Sequence, residues 1–392
     1  MKSKILKSIL AVLSCVCLGV GGVACSGGNS SNENSIQSEA SSVSAESISS
    51  EESTHTESTV ESSLESSVKE SSSEESSLKE SNNEDSSSTE QPEEGIIYTL
   101  SNDGTYYIVT DYKGTDTDAV IASVYEDLPV TSIGGYAFSS CDFLTSVIIP
   151  DSVTSIGDWA FEDCRSLTSV VIPDSVTTIG DWAFEGCTQL TFTEYGNCKY
   201  LGNENNPYLA FIKTASDDYS SYTIHTDTKI IASLAFEGCT SLTGVVIPDG
   251  VTSIGSYAFF NCTSLASVEI PDSVTLLGAY AFYYCDSLAS VEIPDGITSI
   301  GAFAFYHCIS LTSVVIGDSV MTIGDDAFCY CDSLTSVYYK GTAEEWEAIS
   351  IEADNNDKLT SATRYYYVEN EADVPASGNY WHYDANGEIV VW

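Results

Sequence analysis

Thiols recur in this sequence at a spacing that could build a metal site or a set of disulfides. Each follows the phenylalanine of a repeated Ala-Phe dipeptide by three residues, at Cys141, Cys164, Cys187, Cys239, Cys262, Cys285, Cys308 and Cys331. Zinc is disfavoured because no Cys-x-x-Cys pair occurs and Cys329-Tyr330-Cys331 has the wrong spacing. Disulfides are compatible with an exported chain, but a small thiol beside an inward-facing ring suits a tight core corner. We predict free, buried thiols, and for Cys198, outside the column, either an exposed or a buried position.

A column of carboxylates could bind calcium. Its members each precede Ser or Gly, at Asp151, Asp174, Asp249, Asp272, Asp295 and Asp318. Stacked at about 5 Å they would repel one another, and a bridging Ca²⁺ would relieve this. An aspartate that stabilises its own turn explains the same pattern without metal. We predict the turn role and no metal site.

Residues for catalysis are sparse. The four histidines are His55, His225, His307 and His382, and only His307 adjoins a cysteine. Neighbours in sequence rarely face each other as a nucleophile and base must. The sequence contains no phosphate-binding glycine loop and no nucleophile elbow. We predict a protein that is not an enzyme, with no catalytic residues and no cofactor.

The residues around these columns repeat with a period of 23. The phenylalanines lie at 138, 161, 184, 236, 259, 282, 305 and 328, and one step of 52 breaks the series. A period of this length predicts a solenoid of stacked coils, each with short parallel strands. We place the repeats at residues 133–341, an insertion near 193–228, an N-terminal cap at 95–132 and a C-terminal cap at 342–392.

One copy shows how a coil is built. In Val170-Val171-Ile172 the strand alternation turns the outer two residues inward and Val171 outward. Pro173 ends the strand because it has no amide hydrogen to donate. In the C-terminal cap, Thr342 to Glu345 fit a helix capping box, followed by an apolar face of Trp346 and Ile349, and Asn386-Gly387 indicates a hairpin.

The repeat I-G-x-x-A-F-x-x-C-x-S-L-T-S-V-x-I-P-D-S-V-T-S resembles the BspA-like (treponemal-type) leucine-rich repeat of bacterial surface proteins. The likeness extends from about residue 95 to the C-terminus. It implies a right-handed, β-rich leucine-rich repeat solenoid with terminal caps. It also implies a role in cell-surface binding or adhesion, without catalysis and without one shared ligand.

The N-terminus has the features of an export signal. Lys2, Lys4 and Lys7 precede an apolar segment that ends in Gly22-Val23-Ala24-Cys25, which resembles a bacterial lipobox. We predict a signal peptide at 1–24 and lipidation at Cys25, or an ordinary secretion signal in which Cys25 is incidental. The Ser/Glu-rich residues 25–94 can bury almost nothing and are predicted to form a disordered tether. The expected location is the extracellular face of the bacterial membrane, with secretion as the alternative.

Two columns could form binding surfaces. The outward positions of the main strand, expected to line a concave face, are Ile148, Val171, Val246, Glu269, Glu292, Val315 and Tyr338. They form an apolar stripe with an acidic middle, and such stripes mark interaction sites, although valine also simply favours strands. The aromatic column before Ala-Phe contains Tyr136, Trp159, Trp182, Tyr257, Tyr280 and Phe303. It could stack on sugars, grip a protein or roof the core.

The net charge of -45 excludes two classes of partner. Nucleic acid and anionic membrane surfaces both attract basic proteins, so we expect no nucleic acid and no membrane contact except through the lipid. The sequence therefore predicts a non-catalytic module that binds a protein ligand, with a carbohydrate- or wall-binding module as the alternative.

Overall fold

The computed structural model describes residues 95–352 and 355–392. The predicted signal peptide, Cys25 and the Ser/Glu-rich linker lie outside these residues. The described part is a β-solenoid of about 11 turns with little helix, as the repeat predicts. None of its helices has the length and apolar character needed to cross a bilayer.

The coils are built from short strands. In chain order these are β1 (Ile96–Leu100), β2 (Tyr107–Tyr112), β3 (Asp118–Val120), β4 (Val124–Tyr125), β5 (Leu128–Ile133), β6 (Ser146–Ile148), β7 (Ser155–Ile156), β8 (Ser169–Val171), β9 (Thr178–Ile179), β10 (Thr193–Tyr195), β11 (Cys198–Leu201), β12 (Ala210–Thr214), β13 (Ile230–Ile231), β14 (Gly244–Val246), β15 (Ser253–Ile254), β16 (Ser267–Glu269), β17 (Leu276–Leu277), β18 (Ser290–Ile293), β19 (Ser299–Ile300), β20 (Ser313–Ile316), β21 (Thr322–Ile323), β22 (Ser336–Tyr339), β23 (Ser350–Ile351), β24 (Thr363–Tyr367), β25 (Tyr380–Tyr383) and β26 (Ile389–Val391). The helices are α1 (Ala343–Trp346), α2 (Asp357–Ser361) and a 3₁₀ turn at Glu371–Asp373.

Each coil contributes one strand to each of two parallel ladders. The main ladder contains β3-β6-β8, β14-β16 and β18-β20-β22-β24, and the second contains β5-β7-β9, β13-β15-β17 and β19-β21-β23. Partners are separated by the repeat length, as in Val147 with Val170. Val170 and Ile172 are buried whereas Val171 is 46% exposed, which confirms the predicted alternation. Stacking on identical neighbours therefore gives every strand its hydrogen bonds and its apolar cover.

A third ladder joins the turns that contain Ala-Phe, and we call it the turn ladder. The amides of Tyr136, Phe138 and Ser140 donate to the carbonyls of the next coil over 2.7–3.0 Å. The first and third of these positions have left-handed backbone in every coil, for example φ of 52° at Trp159. That conformation costs a bulky L-residue about 1–2 kcal/mol. The ladder bonds on both sides hold it in place.

The phenylalanines form the spine of the core. Phe161, Phe259 and Phe282 are fully buried, and consecutive rings such as Phe259 and Phe282 stack with centroids 4.9 Å apart. The cysteines share this layer. Each thiol from the second coil of a run onward donates to the phenylalanine carbonyl of the coil before, as in Cys285 Sγ to Phe259 O at 3.2 Å. The ten described cysteines are free and buried, Cys198 included, which answers the question its sequence position left open.

The insertion divides the core into two segments. Its strands β10, β11 and β12 form an antiparallel meander, and β12 then joins β13 of the second ladder in parallel. Tyr200 and Phe211 pack into the C-terminal core segment. Leu201 and Ile212 pack into the N-terminal one. The meander is therefore a wall with one face toward each segment.

The C-terminal end is sealed as predicted. Thr342 and Glu345 form a complete capping box at α1, and Trp346 and Ile349 are buried beneath it. The predicted hairpin is β25–β26. Trp381 is fully buried on the last coils, where its indole N–H donates to the carbonyl of Tyr339 at 3.0 Å.

We predict that Phe282→Ala destabilises the chain by about 3–5 kcal/mol, because it removes a fully buried ring between two stacked neighbours. Denaturant unfolding of the full chain measures this. The control Met321→Ala removes a side chain that is 62% exposed and should change stability by less than about 0.5 kcal/mol. Equal effects of the two variants would contradict a phenylalanine spine.

A second prediction concerns the thiols. Burial raises the pKa of Cys331 to about 12, and burial, as the largest cause, also raises those of Cys262 and Cys285. At pH 8 the folded chain should leave Cys262, Cys285 and Cys331 unmodified by a thiol reagent, and the chain unfolded in guanidinium without reductant should be modified throughout. Peptide mapping by mass spectrometry identifies the sites. Column cysteines that stay unmodified after unfolding would indicate disulfides instead.

Candidate binding surface

The outward-facing residues of the main ladder form a surface on each side of the insertion, and we call these residues together the strand face. Val120, Ile148 and Val171 lie side by side in register on β3, β6 and β8 and are 63%, 53% and 46% exposed. Beyond the insertion, Val246 is 54% exposed and pairs with Glu269. Val120 was not identified from the sequence, although Ala119-Val120-Ile121 shows the same inward-outward alternation.

The middle of the strand face is acidic. Glu269 and Glu292 are both exposed, as predicted. Partial burial raises the pKa of Glu269, and the charges of Asp249 and Glu292 raise it further. This stretch therefore repels anions and favours contact with cationic groups.

The C-terminal cap covers the last part of the strand face, and here the sequence prediction was wrong. Val315 was expected to face solvent but is only 6% exposed, and Tyr338 is half-buried. The Tyr383 hydroxyl donates to Glu292 Oε1 at 2.9 Å, and the Trp381 ring lies 5.5 Å from that of Tyr338. Val315 pairs with both Glu292 and Tyr338, so the two cap aromatics lie over the strands on either side of it. The open part of the strand face thus comprises Val120, Ile148 and Val171 before the insertion, and Val246 and Glu269 after it.

A lysine strengthens this closure. Lys340 Nζ lies 2.8 Å from Glu292 Oε1 and 3.4 Å from Asp295 Oδ1. Glu292 thus accepts from both the cap tyrosine and a lysine of the last repeat. Its carboxylate fastens the cap, whereas that of Glu269 has no ion pair among the described residues.

Threonine hydroxyls beside the strands are already used within the stack. Thr168 Oγ1 donates to the carbonyl of Thr145 at 3.0 Å, and Thr312 Oγ1 to that of Ala289 at 3.0 Å. In the second ladder, the hydroxyls of Thr154 and Thr177 also donate to carbonyls of the preceding coil. These small residues therefore brace the coils rather than offer free donors to a ligand.

The aromatic column is a stack of rings on the turn side. Tyr136, Trp159 and Trp182 stack at 5.1 Å with planes within 9°, and Tyr257, Tyr280 and Phe303 stack at 4.5–4.7 Å. Trp182 reaches across the insertion to Tyr257 at 5.7 Å. The inner rings are half-buried. Because each inner ring covers the faces of its neighbours, the column presents edges to solvent, whereas a sugar stacks on a face.

A second aromatic group lies beside this column and was not identified from the sequence. It occupies the two positions between Ala-Phe and the cysteine in the later coils, at Phe260, Tyr283, Tyr284, Tyr306, His307 and Tyr330. Tyr283 and Tyr306 stack at 4.6 Å, and Tyr330 is 52% exposed. The signal was available, since these variable positions change from Ser, Glu and Gly to aromatic residues only in the later repeats.

The groups considered for catalysis and metal binding do not meet. The Cys308 thiol donates into the core to the Phe282 carbonyl, while His307 Nδ1 lies 2.9 Å from Asp286 Oδ1 at the surface. The aspartate column is exposed, and its turns are closed by backbone bonds such as Val153 N to Pro150 O. Within residues 95–352 and 355–392, no three His, Cys, Asp or Glu side chains are grouped so as to hold a metal ion.

Comparison with known proteins identifies the repeat. A family model described as a BspA type leucine-rich repeat region matches in six copies, over residues 121–205 and 208–335, which is more than half of the chain. No curated protein matches the sequence. A leucine-rich cell-surface protein from Faecalibacterium prausnitzii is 26% identical and covers 66% of this chain and 97% of its own, with a TM-score of 0.40. The T. pallidum leucine-rich repeat protein is 27% identical over 63% of this chain and 91% of its own, with a TM-score of 0.28. The pneumococcal vaccine antigen PcpA is 19% identical over 69% and 78%, with a TM-score of 0.40.

We predict that Tyr383→Phe loosens the cap by about 1 kcal/mol, because it removes the hydroxyl that donates to Glu292. Amide hydrogen exchange in β25 and β26 measures this local opening. The matched control is Tyr380→Phe in the same strand, whose hydroxyl bonds only the nearby Ser377 carbonyl. If the two variants open the hairpin equally, the bond to Glu292 does not hold the cap on the strand face.

Proposed function

We propose, from the premise that this chain belongs to the BspA-type leucine-rich repeat family, that it is a non-catalytic cell-surface module that binds a protein ligand on the open strand face. The observation that carries this proposal is the row of exposed apolar side chains at Val120, Ile148 and Val171. Stacked strands hold such neighbours about 4.8 Å apart, which makes the row one continuous apolar stripe. Exposed stripes of this kind are typical of interaction surfaces.

The mechanism is presentation of a preformed surface. Within each run of repeats the coils are bonded to one another along the ladders, so little chain entropy remains to be lost when a partner docks. The apolar stripe supplies contact area, and the acidic stretch at Glu269 selects a partner with a cationic rim. The strong overall negative charge adds to that selection by repelling acidic proteins.

The proposed location is the extracellular face of the bacterial membrane, with lipid on Cys25 as the anchor. Support comes from the basic start, the apolar segment and the small residues before Cys25. Secretion after cleavage of the signal is the alternative. In either case the Ser/Glu-rich residues after Cys25 serve as a spacer that holds the solenoid away from its attachment point.

A carbohydrate ligand is less well supported. Its best candidate site is the aromatic column, in which ring faces cover one another. Tyr136 at the end of the column is the exception, since it is 56% exposed and has one stacked neighbour. A single open ring provides less stacking area than a glycan-binding platform of several aromatic faces.

We predict that Ile148→Lys with Val171→Lys lowers the affinity for a protein ligand at least about tenfold while the fold is retained, because two charges interrupt the apolar stripe. The measurement is surface plasmon resonance of the immobilised full chain against purified extracellular and bacterial surface proteins, alongside a glycan array.

The control is Leu276→Lys with Met321→Lys. These side chains are exposed on the second ladder and give the same change in charge and polarity. Equal losses in both double variants, or none in either, would remove the strand face as the site. Glycan binding that disappears in Trp159→Ala with Trp182→Ala would replace the protein-ligand proposal with the carbohydrate alternative.

A further inference from the structure

The later repeats carry a broad aromatic surface on the turn side, made of the second aromatic group and the adjoining column. The ring centroids of Tyr283 and Tyr306 lie 4.6 Å apart. Each also lies 5.6 Å from a ring of the column, Tyr280 and Phe303 respectively. The surface is therefore continuous both along the stack of coils and across the turn. Contiguous exposed patches of this kind mark interaction sites in soluble proteins.

The turn ladder fixes the backbone beneath these rings. Tyr284 N donates to Tyr306 O at 2.9 Å, and His307 N donates to Cys329 O at 2.8 Å. Tyr284, His307 and Tyr330 all have left-handed backbone, with φ between 57° and 60°. The rings thus project from equivalent positions of consecutive coils, about 4.8 Å apart. A partner meets a preformed surface and loses little chain entropy in ordering it.

Tyr330 is the most open ring of the group. It is 52% exposed, whereas the other members are half-buried. Its ring neighbours are inclined to it, Tyr306 by 81° and His307 by 56°, so no parallel ring covers its face. Among the described residues, no lysine or arginine lies over a ring of the group. The ring is therefore free to receive a cation, which binds the face of an aromatic ring.

The coils that carry the group have a large excess of negative charge. Residues 230–339 contain eleven aspartates and glutamates and neither lysine nor arginine. Lys358 of α2 enters from outside this stretch, and its Nζ lies 2.9 Å from Asp332 Oδ1, which neutralises that one carboxylate. The field of this stretch therefore attracts cationic partners and repels a second copy of the same acidic chain.

Two carboxylates beside the rings have no lysine or arginine partner among the described residues. Asp286 Oδ1 lies 2.9 Å from His307 Nδ1. Asp326 takes the place after Phe303 in the aromatic column, and its Oδ1 accepts from the neutral Asn355 side chain at 2.8 Å. A cationic side chain that reaches the rings thus finds a carboxylate on two sides of the group.

We propose that the second aromatic group is a second interaction surface, which binds a protein segment that carries arginine. The guanidinium groups lie against the open tyrosine rings and donate to Asp286 and Asp326. Arginine fits better than lysine because a guanidinium is planar, stacks on rings and is weakly hydrated. Protein interfaces are enriched in both tyrosine and arginine. The surface lies on the turn side, so this inference goes beyond the strand face and does not depend on it.

An NMR titration of the full chain with labelled tyrosine rings tests this surface. The probe is acetyl-Arg-Gly-Arg-Gly-Arg-amide, and the matched probe has citrulline in place of each arginine, which keeps the shape and removes the charge. The arginine peptide should shift the ring signals of Tyr284 and Tyr330 and leave that of Tyr136 unchanged. The citrulline peptide should bind at least about tenfold more weakly. Absence of the two shifts, or equal affinity of both peptides, would overturn the proposal.

A matched pair of variants tests the open ring. Tyr330→Asn should weaken binding of the arginine peptide at least about threefold, because it removes the most exposed ring. Asparagine already occupies this place in an earlier coil, at Asn261 with φ of 59°, so the fold is retained. The control Tyr136→Asn removes a tyrosine that is 56% exposed, also in left-handed backbone, outside the group. Equal effects of the two variants would contradict the assignment of this surface.

A second pair tests the carboxylates. Asp286→Asn with Asp326→Asn should weaken the peptide at least about threefold, whereas Asp142→Asn with Asp151→Asn, at exposed positions of the first repeats, should not. Each pair removes two negative charges, so an equal loss would show attraction by overall charge alone and would overturn a specific site. Sedimentation at rising protein concentration and a glycan array identify other occupants. Self-association or glycan binding that disappears in Tyr330→Asn would replace the arginine segment with a second copy or a carbohydrate.

Discussion

The structure depends on one constraint, which is that a single coil cannot supply the hydrogen-bond partners and apolar contacts that its own groups need. A single 23-residue coil exposes one side of each short strand, both faces of its phenylalanine and the ladder amides of its turn. Stacking an identical coil beside it satisfies these groups together, because equivalent atoms then recur about 4.8 Å apart. The thiol column follows the same logic. Each column cysteine after the first of a run donates to the coil before its own, so this bond cannot form within one repeat.

This constraint explains why unusual backbone persists throughout the chain. The aromatic column places bulky residues such as Trp159 and Tyr280 in left-handed conformation, a choice that an isolated turn would avoid. In the stack, the ladder bonds and the ring on either side outweigh that cost. At the insertion, Trp182 keeps the conformation, but its amide has no ladder partner among the described residues.

Much of the architecture could be predicted because its determinants are local and periodic. The inward and outward residues of a strand, the phenylalanine spine and the capping box of Thr342 and Glu345 each depend on neighbours whose spacing is visible in the sequence. The burial of Val315 could not be predicted, because it depends on Tyr383 and Trp381, which fold back over several coils. The division of the core by β11 and β12 could not be predicted from the sequence either. The meander is not a copy of the repeat, so the repeat pattern does not indicate which of its side chains face each core segment.

The regularity of the scaffold bears directly on where function lies. Since every coil has the same backbone, two coils differ only in the side chains of their variable columns and in breaks of the ladder. The strand face changes from valine and isoleucine to glutamate along its length, and the cap then closes it. The turn face changes in the other direction, from Ser, Glu and Gly to a group of aromatic rings. The insertion lies between these two regimes and separates the two core segments. It is also the one step between the first and the last repeats at which the next coil does not close the turn ladder.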